Sequence, residues 1–347
     1  METSGQVTGP AEQLTSGSGL EIHPSMARDG TVVFSSLVEN EDIWSLPMNT
    51  REGTLLGPLQ QLTHDLARDW NPLLYADGKR MLFLSWRSGK QDTWMKDLET
   101  GKEVSFKATP ARKLAADLSP DQKRVMFVQP PAQPGERGTI WVMPTEGGLA
   151  EKISEEGYYP WGWSGDSQSI VVKEISQGDT EARGLYLLNV STRRKTKLLE
   201  STSFTLFQPG FSTDNRWITF EATKPPFSQS AVFIASYRAG VIPAESDWIR
   251  LGHDSGWDDK PRWSPDGNLL YFTSDRDGFV CFWAQRLQPA TKRPKGVPFP
   301  IYHFHHARRS ILNVGYAGLH LSVASDKIAF NLGELAGNIW MTKLDLK

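Results

Sequence analysis

A tight-turn aspartate recurs seven times along this chain, and the pattern around it restricts the fold more than any other feature. The positions are Asp29, Asp77, Asp121, Asp166, Asp214, Asp266 and Asp326, with successive spacings of 48, 44, 45, 48, 52 and 60 residues. That period fits a four-stranded propeller blade. Three residues before each aspartate stands an apolar side chain: Met26, Leu74, Leu118, Trp163, Phe211, Trp263 and Val323. Four copies carry a proline five residues before it, at Pro24, Pro72, Pro209 and Pro261. After the turn comes a β-run marked by Phe34, Phe83, Phe127, Val172, Phe220, Phe272 and Phe330. A third run follows, marked by Trp44, Trp94, Trp141, Tyr186, Phe233, Trp283 and Trp340. Aspartate next to glycine takes the backbone angles of a tight hairpin, and no stretch sustains a 3.6-residue apolar period, so the chain reads as all-β.

The expected fold is a seven-bladed β-propeller of four-stranded blades. The blades run from Leu20 to about Thr63, then to about Phe106, Ile153, Leu199 and Leu251; the sixth ends in Tyr302 to His306. The seventh follows a long connection, Ala307 to Gly318. A fourth-strand signature, Gln61-Leu62-Thr63, reappears as Gln13-Leu14-Thr15 ahead of the first copy. This predicts that the N-terminus supplies the missing outer strand of the last blade and closes the ring without an open seam. Residues 1–10 read as a flexible segment and 11–347 as one propeller domain.

Ser264-Pro265-Asp266-Gly267, a β-run, and Ser274-Asp275-Arg276-Asp277-Gly278 together resemble the TolB-type, WD-like propeller repeat. The resemblance covers about residues 11 to 347 and specifies architecture more than function. The run Leu14 to Asn49 and the ending Asn331 to Trp340 resemble propeller modules that some soil bacteria attach after a kinase or winged-helix region and a membrane span. Within the family, TolB binds a lipoprotein, related propellers gate prolyl-oligopeptidase-like enzymes, and others are oligogalacturonate lyases. The resemblance therefore implies a protein- or peptide-binding propeller, with a metal-dependent lyase acting on acidic oligosaccharides, or the sensor domain of a membrane-bound regulator, as alternatives.

Composition removes several classes. A net charge of −2 and a pI near 6.4 leave no basic stripe for a nucleic-acid partner. Residues 1–19 are rich in Gly, Ser and Thr with no apolar core, so they are not a signal peptide, and no run reaches membrane-spanning length. As written, the chain reads as a cytoplasmic monomer, or an extracytoplasmic module if it belongs to a longer chain. Cys281 is the single cysteine; it reads as a buried thiol inside a strand. No Gly-x-Ser-x-Gly elbow, Gly-x-x-x-x-Gly-Lys loop, dinucleotide fingerprint or Cys-x-x-Cys pair is present.

The loops entering the inner strands and those joining second to third strands share one face, the usual ligand face of a propeller. On it the candidate partner-binding residues are Asp69, Trp70, Tyr159, Trp161, Trp257, Asp259 and Arg308. Asp258-Asp259-Lys260 with Arg262 reads either as an acid/base group or as a solvated loop. His303 and His305 point the same way on an extended chain, a spacing that suits one metal ion, and His253 offers a further ligand. The lyase resemblance implies a His-x-His pair with a third His and a Gln; Pro300 stands where the Gln belongs. No cofactor is expected on the leading reading, and a divalent metal on the alternative. The turn aspartates read as turn formers.

Overall fold

The computed structural model describes residues 13, 15, 20–106, 116–129, 138–156, 158–174, 184–224, 229–252, 256–305 and 309–343. The chain is an all-β propeller with four-stranded blades, and it falls into two compact units, residues 41–333 and residues 1–40 with 334–347.

The larger unit contains five separate four-stranded antiparallel sheets, not seven. The first runs Asp69–Leu74, Arg80–Ser85, Asp92–Asp97, Glu103–Ser105. The others begin with the inner strands Ala116–Leu118, Tyr158–Trp163, Thr205–Phe211 and Asp258–Trp263. Each matches one of the repeats whose turns are Asp77, Asp121, Asp166, Asp214 and Asp266.

The first and last repeats depart from the pattern. Repeats two and six separate their second and third strands with a glycine turn, at Gly89 and Gly278, both at positive φ. In the first repeat, Leu37-Val38-Glu39-Asn40 offers no such residue, and one strand runs unbroken over Thr31–Asn49. The last repeat likewise forms one strand, Lys327–Lys343. These two long strands are hydrogen-bonded neighbours in a sixth sheet of seven strands. In the larger unit, Leu321 pairs with Phe330 and Val323 with Ile328, while Trp44 pairs with Gln61. Met48 N–H donates to Asp326 C=O at 2.9 Å. The outer-strand role expected of Gln13-Leu14-Thr15 is not seen: Gln13 and Thr15 lie in no strand, and Leu14 falls outside the described residues.

Inner strands follow one another in space. Leu321–Val323 packs against both Asp69–Leu74 and Asp258–Trp263, and the remaining inner strands connect those two in chain order. Between neighbouring sheets sit the apolar clusters. One gathers Trp44, Tyr271, Phe282, Ile328 and Phe330, all buried. Phe330 meets Phe282 at 4.7 Å, edge to face.

The repeated aspartates act as expected. Ser264 Oγ donates to Asp266 at 2.6 Å, and the same carboxylate oxygen accepts Asn268 N–H at 3.2 Å. Ser212 with Asp214 repeats this arrangement. The residue after the aspartate has positive φ in six of the seven copies, all but Lys327: Gly30, Gly78 and Gly267, but also Gln122 (61°), Ser167 (61°) and Asn215 (55°). Where it is not glycine, its side chain reaches the preceding blade's turn. Gln122 accepts from Ala76 N–H, Ser167 from Asp121 N–H, and Asn215 from Gly165 N–H at 2.9 Å.

The prolines mark a second device. Asn71, Gln208 and Lys260, each just before a repeat proline, have φ of 53°, 50° and 55°, and each sits where its strand's register slips. This bulge re-aims the inner strand beside the axis of the blades.

In the smaller unit, Leu20–Met26 forms a hairpin with the start of the long first-repeat strand, Leu20 opposite Leu37 and Met26 opposite Val32. Its Ile339, Trp340 and Met341 are exposed. Trp340 therefore does not pack as the third-strand aromatic that its repeat position predicts. Short helical turns, Ile311–Val314 and Gly315–Gly318, replace part of the connection read as a loop.

Candidate functional site

All six inner strands of the larger unit line one cavity of about 430 Å³. Its wall includes Asn71, Asp117, Tyr159, Trp161, Gln208, Arg262 and His320. Each belongs to an inner strand or borders one, and the bulges before Pro72 and Pro209 present Asn71 and Gln208 there. Gly162 allows the close approach of a neighbour: a Cβ on it would stand 3.2 Å from Asp117 Oδ2.

An aromatic step follows part of this wall. Tyr159 meets Trp161 at 4.7 Å, and Trp161 meets Phe207 edge to face at 6.1 Å. Lys173 Nζ lies 3.9 Å from the centroid of the Phe207 ring and donates to Leu206 C=O at 3.2 Å. Burial lowers the Lys173 pKa to about 8. Next to the wall residue His320 lies Trp70, 5.3 Å away ring to ring, with Arg68 5.6 Å from the Trp70 ring. Among the described residues, the buried indole N–H groups of Trp70 and Trp161 have no acceptor.

The charges on the wall are set by burial and by one another. Asp117 is pushed up to about 7 by burial, against the pull of Arg262. Arg262 is itself lowered by burial; its guanidinium donates to Leu321 C=O at 3.1 Å and Pro261 C=O at 2.9 Å. His320 is held down at about 3 by burial and then by Lys260, Arg262 and Arg68, so it is a neutral imidazole.

Behind the cavity lies a tighter group. Asp259 and Lys260 form an ion pair at 3.1 Å with both side chains almost fully buried. Burial would raise Asp259, but Lys260 and a hydrogen bond from Glu221 outweigh it and hold its pKa low. Glu221 is pushed far up by burial and by Asp259, and it keeps its proton.

Several expected site residues occupy other positions. Asp69 is fully buried and accepts Arg87 Nη2 at 2.7 Å; burial still raises its pKa to about 6. The solvated-loop reading of Asp258-Asp259-Lys260 fails, because all three open a buried inner strand. Asp258 pairs with Arg276. Trp257 is half-buried, and its backbone N–H donates to Asp275 at 2.8 Å. Arg308 and His253 lie outside the described residues. Tyr159 and Trp161 are thus brought together at the cavity, Trp70 stands on its wall strand, and Asp69 and Asp259 are tied in ion pairs.

His303 and His305 extend the fifth sheet's outer strand, Phe299–Tyr302, which is three strands away from the inner one. Both face Asp277 rather than the cavity. Sequence reasoning missed Asp117, Lys173, Glu221 and His320. A charge inside an apolar run, as in Val171-Val172-Lys173 and Phe220-Glu221-Ala222, was the available signal.

Among the described residues no helix is long and apolar enough to cross a membrane. No family model and no curated protein sequence matches the chain. Solved structures do. A TolB-type protein from Agrobacterium tumefaciens aligns with a TM-score of 0.62 at 17% identity, over 84% of this chain and 98% of that one. TolB from Acinetobacter baumannii aligns at 0.54 and 15% identity, over 74% of this chain and 64% of that one. An oligogalacturonate lyase in complex with manganese aligns at 0.51 and 12% identity, over 92% and 98%. At these identities the likeness speaks for fold alone: the chain has the β-propeller fold of the TolB-type proteins.

Proposed function

We propose that the chain is a non-catalytic binding module that takes a segment of a protein or peptide partner at its central cavity. The observation that carries this reading is the aromatic step on the cavity wall. Tyr159 is 42% exposed and meets the half-buried Trp161 in a tilted pair at 4.7 Å, so aromatic surface is open at the cavity. An apolar or aromatic side chain of the partner packs on Tyr159 and Trp161, which line the cavity. Trp70 backs the wall at His320. Asp69 and Asp259 serve the site indirectly, by fixing the inner strands in ion pairs.

This reading takes the sixth sheet as the closure of the ring: two strands from each end of the chain complete a blade between Asp258–Trp263 and Asp69–Leu74. The TolB-type fold favours a protein partner over a small substrate. A lyase reading draws no support from the placement of His303 and His305, which stand on the outer strand away from the cavity.

The test is selection of displayed peptides on the purified chain, followed by titration of the winners. Trp161→Ala is expected to weaken binding at least ~30-fold, the loss of a buried aromatic anchor. Winners that bind Trp161→Ala and Tyr159→Ala as tightly as the parent would place the binding surface elsewhere.

A further inference from the structure

Away from the cavity, the fifth sheet gathers four metal-ligating side chains of mixed chemistry. The candidate ligand atoms of Asp277, Cys281, His303 and His305 all lie within 4.8 Å of one another. They come from three segments. Asp277 sits in the turn closed by Gly278 N–H on Asp275 C=O at 2.8 Å, with Gly278 at φ 88°. Cys281 opens the third strand opposite Ser274. His303 and His305 prolong the fourth strand, and their alternation puts both rings on one side, 4.8 Å apart.

The geometry converges on one point. His303 Nδ1 lies 2.8 Å and His305 Nε2 3.2 Å from the same carboxylate oxygen, Asp277 Oδ2. Phe279 packs on the His305 ring at 4.3 Å. Phe304 N–H donates to Cys281 Sγ at 3.4 Å, which sets the sulfur beneath the two imidazoles. The cysteine is buried, while both histidines are 43% exposed. An ion therefore has an entrance from solvent and a sealed floor.

We propose that Asp277, Cys281, His303 and His305 form a binding site for a zinc-class transition-metal ion. Two imidazole nitrogens, a thiolate and a carboxylate oxygen are a four-donor set suited to tetrahedral zinc or cobalt. Calcium and magnesium, which take oxygen ligands, do not fit it. Four protein donors leave no open position for a substrate or an activated water, so the ion is structural. It clips the second turn of the sheet to the end of its outer strand. On binding, the metal replaces the thiol proton and any proton shared between the imidazoles and Asp277, and these pass to solvent.

The experiment uses the full chain, stripped with chelator and titrated with cobalt(II), then zinc(II). The expected result is one equivalent of cobalt with a thiolate-to-metal charge-transfer band and the intense visible bands of a tetrahedral centre. One equivalent of zinc erases them, and calcium or manganese does not. Cys281→Ser removes the charge-transfer band. His305→Ala, at an exposed position that does not threaten folding, weakens binding by more than about 100-fold, beyond what the loss of outer-shell partners costs. No tetrahedral spectrum at one equivalent would overturn the proposal. So would displacement by manganese, or an unchanged spectrum and affinity in His305→Ala.

Discussion

Arg276 donates to Asp258 across 3.1 Å, from the second turn of its blade back to the first residue of the inner strand. Its Nε also donates to Ser274 Oγ at 2.9 Å, and its guanidinium lies near the Phe272 and Trp283 rings, 5.1 and 4.8 Å from their centroids. Arg87 repeats the arrangement in the first sheet, with Asp69, Ser85, Phe83 and Trp94. The turn signature of the repeat thus encodes a pin across three strands as well as a reversal.

Breaking that pin takes the Arg276 charge away from a buried carboxylate. Arg276→Ala is expected to destabilise the chain by about 3 kcal/mol or more. Arg276→Lys recovers only part of this, since ammonium keeps the charge but loses the planar stacking. Urea unfolding of the two variants checks the prediction. Equal midpoints for the parent and Arg276→Ala would contradict it.

Glu221 and Asp259 share one proton, so their amide substitutions differ in effect. Glu221→Gln replaces a group that is already neutral and should change stability by less than about 1 kcal/mol. Asp259→Asn strands the buried Lys260 charge and should cost about 3 kcal/mol. Thermal melts of both variants at neutral pH decide the matter, and similar losses in the two would refute the assigned protonation.

His320 and Asp117 impose opposite pH dependences. The folded His320 pKa, about 3, lies below the ordinary 6.5, so its contribution is present above pH 6.5 and is lost as pH falls toward 3. The folded Asp117 pKa, about 7, lies above the ordinary 3.8, so its contribution is present below pH 3.8 and is lost as pH rises through 7. Relative to the parent, His320→Gln should gain stability as pH falls below 6.5, and Asp117→Asn as pH rises from 3.8 to 7. Denaturant midpoints across this range test both signs. Curves parallel to the parent's would show that neither group titrates as described.

Asn215 holds a left-handed backbone at φ 55° while latching the neighbouring turn through Gly165 N–H. Asn215→Ala loses the latch and keeps the strain, with an expected cost of about 1–2 kcal/mol. Asn215→Gly loses the latch but relaxes the backbone and should cost less. A melting temperature for Asn215→Ala at or above that of Asn215→Gly would contradict this.

What could be read from the sequence was periodic. The turn aspartates, the apolar residues before them and the second-strand aromatics are local signals, and five repeats fold as their pattern predicts. Strand exchange was not legible as such, because it concerns which copy pairs with which. In the first repeat its trace was the missing glycine between Leu37 and Asn40, set against Gly89 and Gly278, whereas the last repeat runs on as one strand through Gly333 and Gly337. The left-handed residues before Pro72, Pro209 and Pro261 were hidden for another reason: residues before proline ordinarily prefer an extended backbone, and only the bulge explains the exception. The cavity charges come from different repeats, so no spacing along the chain links Asp117 to Arg262 or His320 to Lys260. Asp69 and Asp259 read as loop charges in the sequence, yet Asp69 opens one inner strand and Asp259 is the second residue of another, where burial demands a partner.

The most direct test of the account is hydrogen–deuterium exchange on the chain with and without a peptide selected for binding. The account predicts new protection centred on Tyr158–Trp163 and Thr205–Phe211, the strands that carry the aromatic step, and its loss in Trp161→Ala. Protection confined to outer strands such as Glu103–Ser105 or Phe299–Tyr302, with the inner strands unchanged, would contradict it.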